Sequence, residues 1–196
     1  MQRPTKEQIR AYPLYDGLAF DDINIIENEQ DAQRALNALQ NEYCLGFDTE
    51  TKPIFRKGQV SPGPTLIQLA TATKGYLFPT RFPAALKVAG MLLENAKIKK
   101  VGFGIKGDNN ELRNKLSIAL VNTEDLSVQL KHLIGEKNTV GARAAVALIL
   151  NKRLAKGAQK SNWGAYPLKK SQIQYAANDA HAAICVANSI AQLSRT

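Results

Sequence analysis

The sequence predicts an α/β fold, one mixed sheet flanked by helices. Short apolar runs bounded by Gly, Pro and Asn crowd the first two thirds of the chain, whereas helical spacing dominates after about residue 125. Two of the runs are close enough to pair as a hairpin, and others are separated by helical stretches that suit crossovers. Strands in mixed pairings followed by helices argue for a sheet with helices packed on it.

Residues 1–20 read as an irregular extension broken by Pro4, Pro13 and Gly17, and 21–196 as one domain. Ile23–Glu27 is a strand candidate. A helix follows over about 29–41, with Asn28 as its cap and Ala32, Ala35, Leu36 and Leu39 at helical spacing. Residues 43–48 form a buried strand, and 51–64, with Pro53, Pro62, Gly63 and Pro64, a loop. Thr65–Thr71 and Gly75–Phe78 form a hairpin around Ala72-Thr73-Lys74. A helix over 82–95, a strand over Lys99–Phe103, a helix over 108–117 and a short strand over Ile118–Val121 come next. Three helices end the chain, at about 125–134, 139–154 and 170–193. No internal repeat or low-complexity tract interrupts this order.

At 196 residues and 44% hydrophobic content, the chain suits a globular domain with a substantial core. The formal net charge of +9 favours a polyanionic partner, nucleic acid above all. No apolar run approaches a membrane span, and Met1–Lys6 leads into no apolar core of a signal peptide, so no membrane partner is expected. Cys44 and Cys185 read as small buried hydrophobes, which suits a reducing, cytoplasmic setting.

The chemistry lies in the acids. Asp48 and Glu50 close an apolar run and point to one face of the strand if it stays extended through Thr49. Tyr175 and Asp179 are one helical turn apart and project side by side. Asp108 opens a helix after Val101-Gly102-Phe103-Gly104-Ile105. Each alone has a plain structural explanation, such as a capping carboxylate or a packed tyrosine. Gathered on one fold, four carboxylates can hold two divalent metals, a common device for cutting phosphodiesters.

Taken in order, these segments carry a resemblance. Phe47-Asp48-Thr49-Glu50-Thr51 is similar to the first motif of the DEDD exonuclease superfamily. Thr65–Thr71 is similar to the strand that follows it in the ribonuclease D and Werner-type branch. Val101–Asp108, with Leu112 a turn on, resembles the second motif. Ser161-Asn162-Trp163, Pro167-Leu168 and Gln174–Ala180 resemble the third and its lead-in. One group of the superfamily has histidine five residues before the last aspartate; here that residue is Gln174. The other has tyrosine four before, and here that is Tyr175, so the chain resembles the tyrosine type.

The resemblance implies a ribonuclease H-like fold and a 3′→5′ exonuclease acting on nucleic acid with a free 3′ end. It implies two Mg²⁺ or Mn²⁺ ions held by Asp48, Glu50, Asp108 and Asp179, no nucleotide cofactor, and release of nucleoside 5′-monophosphates. Glu50 would also meet the terminal 3′-hydroxyl, and Tyr175 would orient the attacking water. Werner-type relatives act on DNA and ribonuclease D relatives on RNA; the single-domain length leans the expectation slightly toward DNA.

Lys152, Arg153, Lys156 and Lys160, with Arg143 before them and Lys169 and Lys170 after, could hold phosphates of the strand, or simply form a solvated face. Trp163 reads as a packing residue rather than a base-stacking one, and His132 and His181 as unsuited to the metals. Two other classes compete. Gly102–Gly107 matches G-x-G-x-x-G, and Glu124 and Asp125 fall near the distance of a ribose-binding acid. A dinucleotide-binding oxidoreductase leaves Asp48-x-Glu50 and Tyr175-x-x-x-Asp179 without a purpose. A non-catalytic nucleic-acid-binding module suits the basic charge but not the acidic set.

Overall fold

The computed structural model describes residues 1–54, 58, 60–155 and 157–193. Six strands form one sheet in the order β1-β4-β3-β2-β5-β6. They are β1 (Ile23–Ile25), β2 (Cys44–Thr51), β3 (Pro64–Ala70), β4 (Gly75–Pro79), β5 (Lys99–Gly102) and β6 (Thr123–Asp125). The β2/β3 and β3/β4 pairs are antiparallel; β1/β4, β2/β5 and β5/β6 are parallel. The hairpin and the crossovers expected from the sequence thus share one sheet.

The helices are α1 (Lys6–Ala11), α2 (Glu29–Leu39), α3 (Pro83–Leu93), α4 (Lys106–Leu116), α5 (Leu126–Leu133), α6 (Ala142–Leu150) and α7 (Lys170–Leu193). Asn28 caps α2 as its sequence suggests, accepting from the Asp31 N–H at 2.9 Å.

The central strand shows how period two builds the molecule. Leu45 and Phe47 point into a core shared with α2 and α3. Gly46, between them, points the other way and lies against α7. The α7 side is covered by Ala176, Ala177, Ala180 and Ala183, whose small side chains let the helix approach the sheet closely. Asp48 and Glu50 follow Gly46 in the same alternation, so they emerge toward α7.

Three expectations need correction. The last strand is not Ile118–Val121 but Thr123–Asp125. Ile118 and Leu120 are apolar because they are buried in the core. The chain pairs with β5 only after Asn122, which turns it at φ 49°. The helix expected over 139–154 is shorter, because Asn151 adopts a left-handed φ of 52° and ends it. The extension is not wholly irregular. Thr5 and Gln8 cap α1 reciprocally: Thr5 N–H donates to Gln8 Oε1 at 2.8 Å, and Gln8 N–H to Thr5 Oγ1 at 3.2 Å.

After α1 the extension runs as a strap along α7 and the segment that follows α6. Tyr15 N–H donates to the Arg153 carbonyl, and Arg153 N–H to the Pro13 carbonyl, both at 2.9 Å. Leu18 N–H donates to Asn178 Oδ1 at 3.1 Å, and Gln174 Nε2 donates to the Leu18 carbonyl at 2.8 Å. The Tyr15 hydroxyl meets His181 Nδ1 at 2.8 Å.

Candidate active site

Strand β2 stays extended through Thr51, so Asp48 and Glu50 share a face. Helix α7 places Tyr175 and Asp179 opposite them. The contact is close: a Cβ built on Gly46 would lie 1.9 Å from the Ala180 carbonyl oxygen. Only glycine lets the two backbones meet there, and the meeting sets Asp48 and Asp179 side by side.

Asp48, Glu50, Tyr175 and Asp179 line one cleft of about 790 Å³, together with Phe103 after β5 and Arg143 on α6. That volume lies within the ~300–1,000 Å³ typical of ligand sites. Asp108, on the first turn of α4, is not part of the lining. Its Oδ1 accepts a hydrogen bond from the Thr49 hydroxyl. The Thr49 N–H donates to Asp48 Oδ1 at 2.9 Å, so this one threonine, between the two motif acids, steadies both Asp48 and Asp108.

The electrostatics mark the cleft as overcharged. Burial, then the charges of Asp179, Asp108 and Glu50, push the Asp48 carboxyl well above its usual range. Burial, then Asp179 and Asp108, raise Glu50 to about 8. Burial raises Asp179 to about 6, against the opposing pull of Tyr175 and Arg143. Asp108 is also raised by burial, less so because of Thr49. Burial and the neighbouring Asp179 carboxylate push the Tyr175 phenol far up, so it keeps its proton. Such a concentration of displaced acids in a cleft is a signature of function.

Among the described residues, no three His, Cys, Asp or Glu side chains are arranged to hold a metal ion as they stand. Asp108, turned to Thr49, is the clearest departure from a converged set. The donor chemistry nonetheless fits a hard divalent cation. All four groups are carboxylates, they are partly buried, and Asp48 and Glu50 are held up by the charges of Asp179 and Asp108, which a cation would offset.

The basic residues fall differently. Lys152 Nζ pairs with Asp16 at 2.8 Å, and Arg153 Nε donates to the Tyr12 carbonyl at 2.9 Å. Both side chains have protein partners in the N-terminal strap. Lys160 is exposed and outside the cleft lining, and Lys156 lies outside the described residues. Arg143, which donates to Gln159 Oε1 at 3.0 Å, stands in the cleft. So do Arg3, Lys6 and Arg10, which the sequence alone did not single out. The Thr5-x-x-Gln8 capping box is the signal that could have placed a helix there.

Trp163 is buried, 2% exposed, and packs beside Tyr175 with ring centroids 6.2 Å apart. It supports the tyrosine from behind. His181 is engaged by Tyr15 and by the Ala72 carbonyl, at 3.0 Å from Nε2. The glycine-rich segment has local explanations. A Cβ on Gly102 would lie 2.7 Å from the Phe47 carbonyl oxygen, and Gly104 takes φ 71°. Asp125 accepts from the Gly104 N–H at 3.0 Å, and Glu124 pairs with Lys99 at 3.0 Å. Both acids near the ribose-binding distance are thus already committed.

Known proteins resemble this chain in sequence and in fold. A sequence profile described as a 3′–5′ exonuclease matches residues 23–194. The bifunctional 3′–5′ exonuclease/ATP-dependent helicase WRN of Mus musculus is 33% identical over 164 residues, 81% of this chain and 12% of that protein. A 3′–5′ exonuclease of Arabidopsis thaliana is 34% identical over 145 residues, 70% of this chain and 49% of that one. The chain therefore spans half or less of these two relatives. The EXO domain of Nibbler from Aedes aegypti superposes with a TM-score of 0.78 at 24% identity, covering 91% of each chain, which confirms the ribonuclease H-like sheet and helices. The chain belongs to the 3′–5′ exonuclease family, whose members act on nucleic acid and generally depend on divalent metal ions.

Proposed function

We propose that this protein removes nucleotides one at a time from the 3′ end of a nucleic acid strand, with two Mg²⁺ or Mn²⁺ ions as cofactors. The observation that carries the reading is the overcharged cleft: Asp48, Glu50 and Asp179 line it with Tyr175, and Asp108 adds its charge from behind. Those four carboxylates would hold the metals, which when bound supply charge neutralisation at the phosphate and an activated water.

The chain's own groups then have separate tasks. Glu50, at the outer end of the Asp48 face, accepts the terminal 3′-hydroxyl, which restricts cleavage to strand ends. Tyr175, whose phenol burial and the neighbouring Asp179 push up, orients the attacking water by donating to or accepting from it. Arg143, already close enough to draw the Asp179 carboxyl down, faces the scissile phosphate. The leaving strand departs with a new 3′-hydroxyl, and a nucleoside 5′-monophosphate is released.

DNA is the first substrate to test, because the match to the WRN protein, at 33%, exceeds that to a ribonuclease D of Gluconacetobacter diazotrophicus, at 28%. The decisive experiment incubates the protein with 5′-labelled single-stranded DNA, recessed duplex and RNA, with Mg²⁺, Mn²⁺ or EDTA. A metal-dependent ladder shrinking from the 3′ end is expected, lost in Asp48→Asn and Asp179→Asn. Binding without any shortening in either metal would instead favour a non-catalytic nucleic-acid-binding module.

A further inference from the structure

The family match begins at residue 23, yet the wall of the cleft begins at residue 3. Arg3, Lys6 and Arg10 line the same cavity as Asp48, Glu50 and Asp179. Lys6 and Arg10 are four residues apart on α1, so they share a helix face. Glu7, the only acid in α1, is not part of the lining. Ile9, which also lines the cleft, seats the helix against the cluster built by α6 and α7.

The position of α1 is fixed from behind. The strap of residues 12–18 is held by backbone bonds to Arg153, by Asn178 and Gln174 of α7, by the Tyr15–His181 contact and by the Lys152–Asp16 ion pair. Asn178 neighbours Asp179, and Gln174 neighbours Tyr175. The anchor points of the extension are thus interleaved with the candidate catalytic residues on one helix. No residue of α1 is buried, so its cations are presented to solvent and not spent on the core.

We infer that residues 3–10 form a second wall of the nucleic-acid channel, in which Arg3, Lys6 and Arg10 hold phosphates of the strand upstream of its 3′ end. This rests on the exonuclease reading of the cleft. Charge favours this arrangement. An acidic floor repels a polyanion, and the cations that line the cleft and offset this are Arg143 on α6 and these three, on or just before α1. Single-stranded phosphate contacts of this kind release counterions and give binding a salt dependence.

The test uses fluorescence anisotropy of 5′-labelled thymidine oligonucleotides, on an Asp179→Asn background that prevents shortening. The triple variant R3A/K6A/R10A is expected to bind a dodecamer about tenfold more weakly, with a salt slope shallower by about two, as ~0.7 per lost contact on a single strand requires. A charge-retaining R3K/R10K variant should keep most of the slope. A charge-matched control, K74A/K87A/K97A, removes exposed lysines outside the cleft and should change neither quantity. Since Arg3, Lys6 and Arg10 are exposed, Ile9 is kept and alanine favours helix, the triple variant should fold normally, which circular dichroism checks.

An unchanged slope in R3A/K6A/R10A, or an equal fall in the control, overturns the inference. Its failure is separable from that of the nuclease reading. A wild-type protein that shortens nothing in Mn²⁺ but binds with an Arg3/Lys6/Arg10-dependent slope loses the enzyme assignment and keeps the channel wall. One that shortens strands normally while the triple variant binds as wild type does the reverse.

Discussion

Gly46 on β2 and Ala180 on α7 meet backbone to backbone, so closely that a methyl group on Gly46 would reach to 1.9 Å from the Ala180 carbonyl oxygen. The atom in the way is main chain and has no rotamer to escape into. Gly46→Ala should therefore push α7 off the sheet and carry Asp179 with it. Overpacking of this kind costs about 1–3 kcal/mol, and a backbone clash belongs at the upper end. Urea denaturation should show that loss, and exonuclease activity should fall more than stability accounts for. A variant with wild-type stability and activity would mean that the helix–strand approach is not what sets the acids side by side.

The hydroxyl of Thr49 on Asp108 invites a conservative dissection. Thr49→Val keeps the β-branched shape and removes the donor, so Asp108 loses the contact that lowers its pKa. A charge-assisted hydrogen bond contributes about 1.5–3 kcal/mol to stability, so Thr49→Val should lower the folding stability by about that much, and kcat and the metal concentration for half activity should shift. Thr49→Ser should restore all three. If valine and serine behave alike, Thr49 is only a strand residue.

Glu50 sets function against stability. Its folded-state pKa of about 8 exceeds the ordinary 4.5, so the folded protein holds this proton longer than the unfolded chain. The resulting destabilisation is absent below about pH 4.5 and grows as pH rises toward 8. In EDTA at pH 8, Glu50→Gln should raise the stability by about 1–2 kcal/mol, allowing for solvent screening in the open cleft, and should abolish cleavage. At pH 5 the gain should shrink. Added Mn²⁺ should stabilise the wild type at pH 8 more than at pH 5, because metal and proton compete for the same oxygens. Thermal unfolding across pH, with and without metal, reads all three. A larger gain from Glu50→Gln at pH 5 than at pH 8 would refute the account.

Lys100 is wholly buried, and its ammonium donates to the carbonyls of Ile98 at 2.7 Å and Asn95 at 2.8 Å. It ties the turn after α3 to β5, whose parallel pairing with β2 positions the central strand. Lys100→Met keeps the length and removes the ammonium from the Ile98 carbonyl and from the Asn95 carbonyl, which keeps only the Ile98 N–H at 3.2 Å, at a cost of about 1–3 kcal/mol. Activity per folded molecule should not change, since Lys100 is not part of the cleft. Denaturation midpoints and specific activity measured on the same preparation check both halves.

What could be read from the chain, and what could not, divides along physical lines. Asp48 and Glu50 were legible because strand alternation fixes their common face. Tyr175 and Asp179 were legible because one helical turn separates them. Asn28 announced its helix by capping chemistry. The last strand was misplaced because apolar spacing reports burial, and Ile118 and Leu120 are buried without pairing to β5.

Lys152 and Arg153 looked like free cations because their partners, Asp16 and the Tyr12 carbonyl, are 136 and 141 residues away. The cations of α1 were invisible for the same reason. Local composition showed a Pro-broken extension, and only the tertiary strap brings Arg3, Lys6 and Arg10 to the acids.

That strap has a practical corollary for anyone handling the protein. Arg3 lines the cavity, so anything fused just ahead of it is tethered beside the acids of the cleft. A polyhistidine tag there would add imidazoles able to chelate the very ions under assay. Preparations carrying such a leader should misreport both metal preference and strand affinity until it is cleaved away.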